Sequence, residues 1–252
     1  MLKLSGVIIT FNEEKNIEKC LSSLSKVVDE IVVVDSFSTD NTKAICQKFN
    51  VHFIEQEFLG YIEQKNFALA QAKYDHIVAL DGDEALSEPL QKSILALKSN
   101  WVYEGYYANR LNKLGEQWIK HTTWYPDKKL RIFDRRKSKW TGTNPHDRIR
   151  LLDETKKTGF LKGDILHTNY QTYSEHNQQI EKFTTIAAEA YFKKGKKASL
   201  FKIIVNPTWA FFQSYILKLG FLDGFNGFYI SVQTANIRFL KYAKLRELQK
   251  KA

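Results

Sequence analysis

The sequence predicts an α/β fold, a mostly parallel sheet with antiparallel additions, followed by a helical C-terminal extension. Three observations predict it. Four apolar runs alternate with amphipathic stretches over the first hundred residues, the pattern of parallel strands joined by helical crossovers. From Trp101 to about Leu152, aromatic and β-branched runs are separated by polar loops, as in antiparallel strands that extend a sheet. From Ser174 onward the apolar spacing becomes helical.

The four runs are Leu4–Thr10, Glu30–Val34, Val51–Ile54 and His76–Leu80. Behind the first, Ile17, Cys20, Leu21 and Leu24 recur at helical spacing after the polar stretch Asn12–Asn16. The second ends in Asp35-Ser36-Phe37-Ser38-Thr39-Asp40, rich in cap-forming residues, before a helix carrying Ala44, Ile45 and Phe49. The third crossover, 61–73, keeps Phe67, Ala68 and Ala72 on one face. After the fourth come Asp81-Gly82-Asp83-Glu84 and then Ser87-Glu88-Pro89, which opens another helix because proline is tolerated in a first turn. Trp101–Ala108, Leu130–Phe133 and Ile149–Leu151 are the expected antiparallel strands. Ile180, Phe183, Ile186, Ala187 and Ala190 form the stripe of a first C-terminal helix. Two further segments follow, 200–219 with Pro207 as a break or kink, and 225–248, whose expected apolar face runs through Phe225, Phe228, Tyr229, Val232, Ala235, Phe239 and Tyr242. The expected domains are a catalytic part over 1–173, with a ligand-binding half to residue 100 and a second half over 101–173, and a basic amphipathic extension over 174–252.

At 252 residues the chain can bury a substantial core without covalent staples, and Cys20 and Cys46, both on expected helices, give no disulfide framework. A reduced, cytoplasmic setting is expected. The run 4–11 is short and passes straight into Asn12-Glu13-Glu14, so it is read as a buried strand rather than an export signal. The net charge of +10 is unevenly placed: residues 193–252 hold twelve Lys and Arg against Asp223 and Glu247, while the first 192 residues are balanced. Such an end seeks a polyanionic surface. It is lysine-dominated, with only Arg238 and Arg246, and carries no nucleic-acid motif. An anionic membrane, at the inner face of the cytoplasmic membrane, is therefore the expected partner, and nucleic acid is not. The segment 203–222 is interrupted by Asn206, Pro207, Gln213, Ser214 and Lys218, which argues against a bilayer span. Packing of both stripes on the catalytic part is the alternative to lipid contact.

In an open parallel sheet, ligands bind beyond the carboxyl ends of the strands. Those ends carry Thr10-Phe11-Asn12-Glu13, Asp35-Ser36 and Asp81-Gly82-Asp83-Glu84. Acidic loops on one rim repel an anionic ligand unless a cation intervenes. Two carboxylates separated by one glycine suit a hard divalent ion, Mg2+ or Mn2+, that also bridges phosphate oxygens. The alternative for Asp81 and Asp83 is helix or turn capping, and for Asp35 an Asx turn.

The runs 7–14, 31–36 with Ser38-Thr39-Asp40, and 81–84 together resemble the family 2 inverting glycosyltransferases of GT-A, Rossmann-like fold. Within them the chain is similar to the bacterial lipopolysaccharide core β-glucosyltransferase group. Arg131-Ile132-Phe133, Trp140-Thr141-Gly142 and Pro145-His146-Asp147 resemble that group's R-x-F, W-x-G and V-H-E elements, and Gly220-Phe221-Leu222-Asp223-Gly224 with Gly227 resembles a C-terminal pattern. The resemblance implies transfer of a hexose, glucose in the first instance, from a UDP-sugar to a glycan or glycolipid acceptor. It implies that Thr10, Asn12, Glu13 and Asp35 surround the nucleotide, with Lys65 and Asn66 of Gln64-Lys65-Asn66 on the donor side. Asp83 is then the main metal ligand, and Asp81 contacts ribose or metal-bound water. Asp147 takes the place of the family's acidic base, with His146 as its rival and an ion pair to Arg148 or Arg150 as its structural alternative. The shorter Asp in place of Glu is a departure at the position of the base. His167 is a further metal or diphosphate contact or else a hydrogen-bonded core histidine, a solvated lysine is the alternative for Lys65, and Trp118, Trp124 and Tyr125 are candidates for stacking on an acceptor sugar.

Two other functions compete. A sugar nucleotidyltransferase would place a glycine-rich phosphate loop after the first strand, where this chain has Thr10-Phe11-Asn12-Glu13-Glu14 and no glycine. A non-catalytic membrane- or nucleic-acid-binding module would use only the basic end.

Overall fold

The computed structural model describes every residue except Asn144, Pro145 and Ala252, and every side chain of those described except Thr143 and His146. The expected α/β class holds. In chain order the elements are β1 (Leu4–Thr10), α1 (Ile17–Leu24), β2 (Glu30–Asp35), α2 (Thr42–Cys46), β3 (His52–Glu55), α3 (Tyr61–Gln71), β4 (His76–Asp81), β5 (Glu84–Leu86) and α4 (Glu88–Leu97). Then follow β6 (Gly105–Leu114), β7 (Gln117–Trp118), β8 (Asp127–Asp134), β9 (Ser138–Thr143), β10 (His146–Leu151) and β11 (Gly159–Tyr170). The chain continues with α5 (Tyr173–Lys193), α6 (Leu200–Phe212) and α7 (Gly224–Lys251). The main sheet runs β3-β2-β1-β4-β8-β6-β11-β5, with β7 on β6, and β9 with β10 forms a separate hairpin.

The first four strands are parallel, with β1 between β2 and β4. Their apolar runs are continuous because both faces are covered. Leu4 and Ile8 of β1, Val33 of β2, and Val78 and Leu80 of β4 point into one core with α1 and α4. Val7, Val32, Val34, Ile77 and Ala79 point into the other, with Ala68 and Leu69 of α3. This two-sided burial pins the register, since a slip of one residue would exchange the two faces. The strand ends thereby align, with Thr10 beside Asp35 and Ile9 beside Asp81.

Several expectations are corrected. β6 begins at Gly105 rather than Trp101, because the Trp101 ring is taken up edge-on by His76 and Tyr106 ahead of the strand. Trp140–Thr143 and His146–Arg148, outside the strands expected, belong to the β9–β10 hairpin, in which Asp147 pairs with Gly142. In α3 the buried face is Gln64, Lys65, Ala68 and Leu69, with Phe67 only partly covered. In α5 the buried residues are His176, Ile180, Thr184 and Ala188, one turn apart, and Ile186 is exposed. α6 continues through Pro207 and ends in a wide turn over Gln213–Leu217. The buried face of α7 is Gly227, Ile230, Ser231, Lys241 and Leu245, not the aromatic stripe expected of it.

The chain divides into two compact units, Met1–Arg110 with Asp127–Thr168, and Leu111–Pro126 with Asn169–Ala252. Residues 111–126, expected within the catalytic part, thus group with the C-terminal helices. The second unit has its own small core of Leu114, Ile119 and Ile230, bordered by Trp124, Tyr170 and Tyr229.

Candidate active site

The carboxyl ends of β1 and β4 open into a cleft of about 620 Å³ in the first unit. Of the residues expected at the site, Thr10, Glu13, Lys65, Asp81, Asp83, Asp147 and His167 line it, although they are spread over more than 150 positions of sequence. Gly82 has a steric reason for its place. A Cβ there would lie 2.8 Å from Thr10 Oγ1 and 3.1 Å from Glu13 Cγ, so the β4 end can close against the β1 loop only without a side chain.

An ion network forms part of the cleft wall through Lys65, Asp81 and Asp147 and continues into the interior. Lys65 Nζ lies 2.8 Å from Asp81 Oδ1 and 2.8 Å from Asp147 Oδ2, and 4.4 Å from the Trp140 ring centroid. Arg131 Nη2 donates to Asp81 Oδ2 at 3.0 Å and to Glu84 Oε1 at 3.1 Å, and its guanidinium carbon is 5.1 Å from the same Trp140 ring. Arg110 closes the chain onto Glu84 and Asp127. Burial by itself would raise the Asp81 carboxyl. Lys65 and then Arg131 outweigh it and hold the group well below the usual carboxylate range. Glu84, also pushed up by burial, is lowered on balance by Arg131. Lys65 is therefore not a solvated lysine, and Asp147 pairs with it rather than with Arg148 or Arg150.

Asp83 faces a different partner. Its Oδ2 lies 3.0 Å from His167 Nε2, and its backbone carbonyl accepts from Thr168 N, so the β5 turn is tied to β11 on both counts. His167 is thus buried and hydrogen-bonded, as its structural alternative has it, and it also lies on the cleft wall. Glu13 is pushed up to about 7, by burial first, partly offset by the Asn16 side chain that donates to it, with Asp83 adding to the rise. Thr10 Oγ1 is buried without a hydrogen-bond partner among the described residues, a donor left for a ligand.

Three expected residues serve the site from outside the cleft. Asp35 is buried and makes the Asx turn read as its alternative: its Oδ2 accepts from Ser38 N at 2.7 Å, which leaves Ser36 on the cleft wall. Asn12 adopts φ 54°, a left-handed conformation that asparagine tolerates, and its side chain accepts from Thr39 N, bracing the loop after β2. Asn66 exchanges both amide bonds with the Trp140 backbone and anchors β9 to α3. The His146 side chain lies outside the described residues. Trp118 falls in β7 and Trp124 in a short turn, and they group with Tyr125 in the second unit.

The sequence reading missed the part played by Arg131 and Glu84, and the aromatic wall of Phe11, Phe58 and Tyr61. Arg131 and Glu84 stood in quoted motifs but without a role. The Phe58–Tyr61 edge contact, with ring centroids 5.0 Å apart, follows a strand end where no polar signal drew notice.

A divalent ion has a chemically suitable donor set here, a carboxylate and an imidazole side by side at the rim. Among the described residues no group of three or more His, Cys, Asp or Glu could hold a metal. The fit is that of an ion held by one or two side chains, with a ligand's phosphates supplying the remaining positions.

Comparison with known proteins agrees with this geometry. The family model described as Glycosyl transferase family 2 matches residues 5–159. An uncharacterized glycosyltransferase of Rickettsia typhi is 31% identical over 100% of this chain and 89% of its own length. The lipopolysaccharide core biosynthesis glycosyltransferase LpsC of Rhizobium meliloti is 29% identical over 97% of this chain and 92% of its own. Among solved structures, residues 1–349 of TarS from S. aureus in complex with UDP-GlcNAc align with a TM-score of 0.51 at 17% identity, over 99% of this chain and 92% of that one, a likeness of fold.

Proposed function

Because the chain belongs to glycosyl transferase family 2, we propose that it moves a hexose, glucose in the first instance, from a UDP-sugar to a glycan or glycolipid acceptor such as lipopolysaccharide core, with inversion at the anomeric carbon. The observation that carries this reading is the meeting of Asp83, Lys65 and Asp147 in one cleft at the ends of β1 and β4. The similarity to LpsC supports the acceptor class.

Asp83, with His167 beside it, would hold Mg2+ or Mn2+. Such an ion offsets the charge that grows on the diphosphate leaving group. Thr10 offers its unpartnered hydroxyl to the donor, and Asp81, locked by Lys65 and Arg131, fixes the height of the β4 end. Inversion is a single displacement, so one carboxylate must take the proton from the acceptor hydroxyl on the face opposite the leaving group. Asp147 is that base in our reading, with His146 as its rival. Lys65, touching both Asp81 and Asp147, keeps the two carboxylates in a fixed relation. We place this work at the inner face of the cytoplasmic membrane, in peripheral contact with anionic lipid.

The test is UDP release from UDP-glucose with and without Mn2+, with product stereochemistry read by NMR on a lipopolysaccharide-core acceptor. Wild type should give an inverted product, EDTA should stop the reaction reversibly, and Asp83→Ala should abolish it while leaving the far-UV circular dichroism unchanged. Full activity in EDTA together with an active Asp83→Ala would remove the metal reading. Pyrophosphate in place of UDP would make the protein a nucleotidyltransferase.

A further inference from the structure

We propose that the solvent face of α6 is a lipid-binding surface that lies in the plane of an anionic bilayer interface. The inference rests on the membrane location given above but not on the transfer reaction.

A helix of a water-soluble protein turns its apolar stripe inward. α6 does the reverse. Phe201, Ile204, Val205, Trp209 and Phe212 recur at helical spacing and are exposed, with Phe201, Ile204 and Trp209 at 70%, 65% and 54%. The opposite side carries Asn206, Pro207, Ala210 and, in the turn beyond, Ser214, and it packs on α7. Phe211 meets Phe228 of α7 edge-on with ring centroids 6.0 Å apart, and in the turns just beyond α6 the approach is between small residues: Ser231 Oγ donates to Ser214 Oγ at 2.9 Å, and Gly227 lies against the Gly220 carbonyl with no room for a side chain. The apolar face outside is thus not a remnant of packing. The side of α6 toward α7 is occupied by Asn206, Pro207, Ala210 and Phe211, and Phe201, Ile204, Trp209 and Phe212 are left outside for another apolar phase.

The charges around the face identify that phase. Residues 190–222 contain six lysines (Lys193, Lys194, Lys196, Lys197, Lys202 and Lys218) and no aspartate or glutamate. All six are exposed. An apolar helix face bordered by lysines only is complementary to anionic headgroups over acyl chains. A second copy of this chain is a poor occupant, because a two-fold contact would set the same lysines against themselves. α6 has 13 residues, and no helix among the described residues is long and apolar enough to cross a membrane, so the helix lies along the interface. This differs from the sequence reading in the element that meets lipid: α6 and not the aromatic side of α7.

The full chain should co-sediment with vesicles of phosphatidylglycerol and phosphatidylcholine and not with phosphatidylcholine alone. Ile204→Ser with Trp209→Ser should weaken this partition about a hundredfold or more. Lys197→Glu with Lys202→Glu should weaken it about thirtyfold or more, and added salt should do likewise. Brominated acyl chains should quench wild-type fluorescence, and most of that quenching should vanish in Trp209→Phe. UDP-glucose hydrolysis in solution, measured in parallel, should be unchanged in the Ile204→Ser, Trp209→Ser protein, so a failed activity and a failed surface are told apart. The proposal is overturned if wild type ignores anionic vesicles, if the double serine variant binds them as wild type does, or if that variant instead dissolves a dimer seen by sedimentation in the absence of lipid.

Discussion

At the scale of single residues, the cleft is governed by where charge is allowed to sit. Asp147→Asn keeps the size of the side chain and removes its basicity. Turnover should fall by roughly 10²- to 10⁴-fold while UDP-glucose still binds, as read by single-turnover kinetics beside calorimetry. If that variant turns over normally and His146→Ala does not, the histidine is the base. Lys65 is a stiffer case, because its removal leaves Asp81 and Asp147 without the cation they share. Lys65→Met should cost about 3 kcal/mol of stability in urea unfolding, and Asp147→Asn clearly less, since Asp81 then still holds Lys65. Glu13 titrates in the opposite sense to Asp81. Its carboxyl, raised by burial to about 7 from 4.5, binds a proton in the folded chain where the unfolded chain has lost it. The associated stability is therefore fully present below about pH 4.5 and is lost as pH rises through 7. Glu13→Gln should gain on wild type across that window, reaching about 2 kcal/mol at pH 8 once its partial exposure is discounted, and should match it at pH 4. A gain that does not change with pH would show that the ionised form carries no such cost.

At the scale of elements, the parallel half of the sheet was legible and the hairpin was not. Runs such as Ile31–Val34 are apolar on consecutive positions, so burial on both faces left a signal that no loop could imitate, and β1 to β4 fall within a residue or so of their expected bounds. In β9 and β10 the stretch Trp140-Thr141-Gly142-Thr143 leads into Asn144-Pro145, turn formers that mask the strand on either side. Among the described residues those two strands pair with each other alone, so they needed no continuous apolar run. The ion network was illegible for another reason: Lys65, Asp81, Arg131 and Asp147 are joined by topology, and charge patterning in sequence sees only near neighbours. The acidic motif at the β4 end was legible as a strand-end motif, and it lines the cleft, but its glycine carries a packing duty that spacing alone does not reveal. Gly82→Ala would force Thr10 and Glu13 to give way, costing about 1–3 kcal/mol and displacing Asp83 from His167. Donor affinity should fall with it. An alanine variant with wild-type melting and donor binding would show that the β1 loop yields freely. Asn66→Ala, which breaks both amide bonds to Trp140, should loosen β9 and raise hydrogen exchange over 138–143 without touching the acid pair.

At the scale of the whole molecule, the two compact units differ in which proton they are sensitive to. The second unit buries His176 among aromatic rings, with Tyr170, Trp124 and Tyr229 at centroid distances of 4.7, 5.2 and 5.6 Å. Among the described residues no carboxylate compensates it, and burial pushes the imidazole down to about 4. The unfolded chain therefore binds a proton at about 6.5 that the folded unit refuses until about 4. Stability tied to His176 is present above pH 6.5 and is lost as pH falls toward 4. The first unit meets the same interval with opposing groups. Burial lowers His76, which disfavours acidification, while burial raises Glu13, which favours it. Its depressed carboxylates, among them Asp29, Asp40, Asp81, Glu84 and Asp134, matter only below the ordinary carboxylate range. Acidification from pH 7 to 5 should thus speed exchange in peptides of α5 around His176 well before those of β1 and α1, after correction for intrinsic rates. His176→Phe, which keeps an aromatic ring and cannot be charged, should abolish the difference. Equal acid sensitivity of the two units in the wild type, or an unchanged α5 response in His176→Phe, would place the acid-labile group elsewhere.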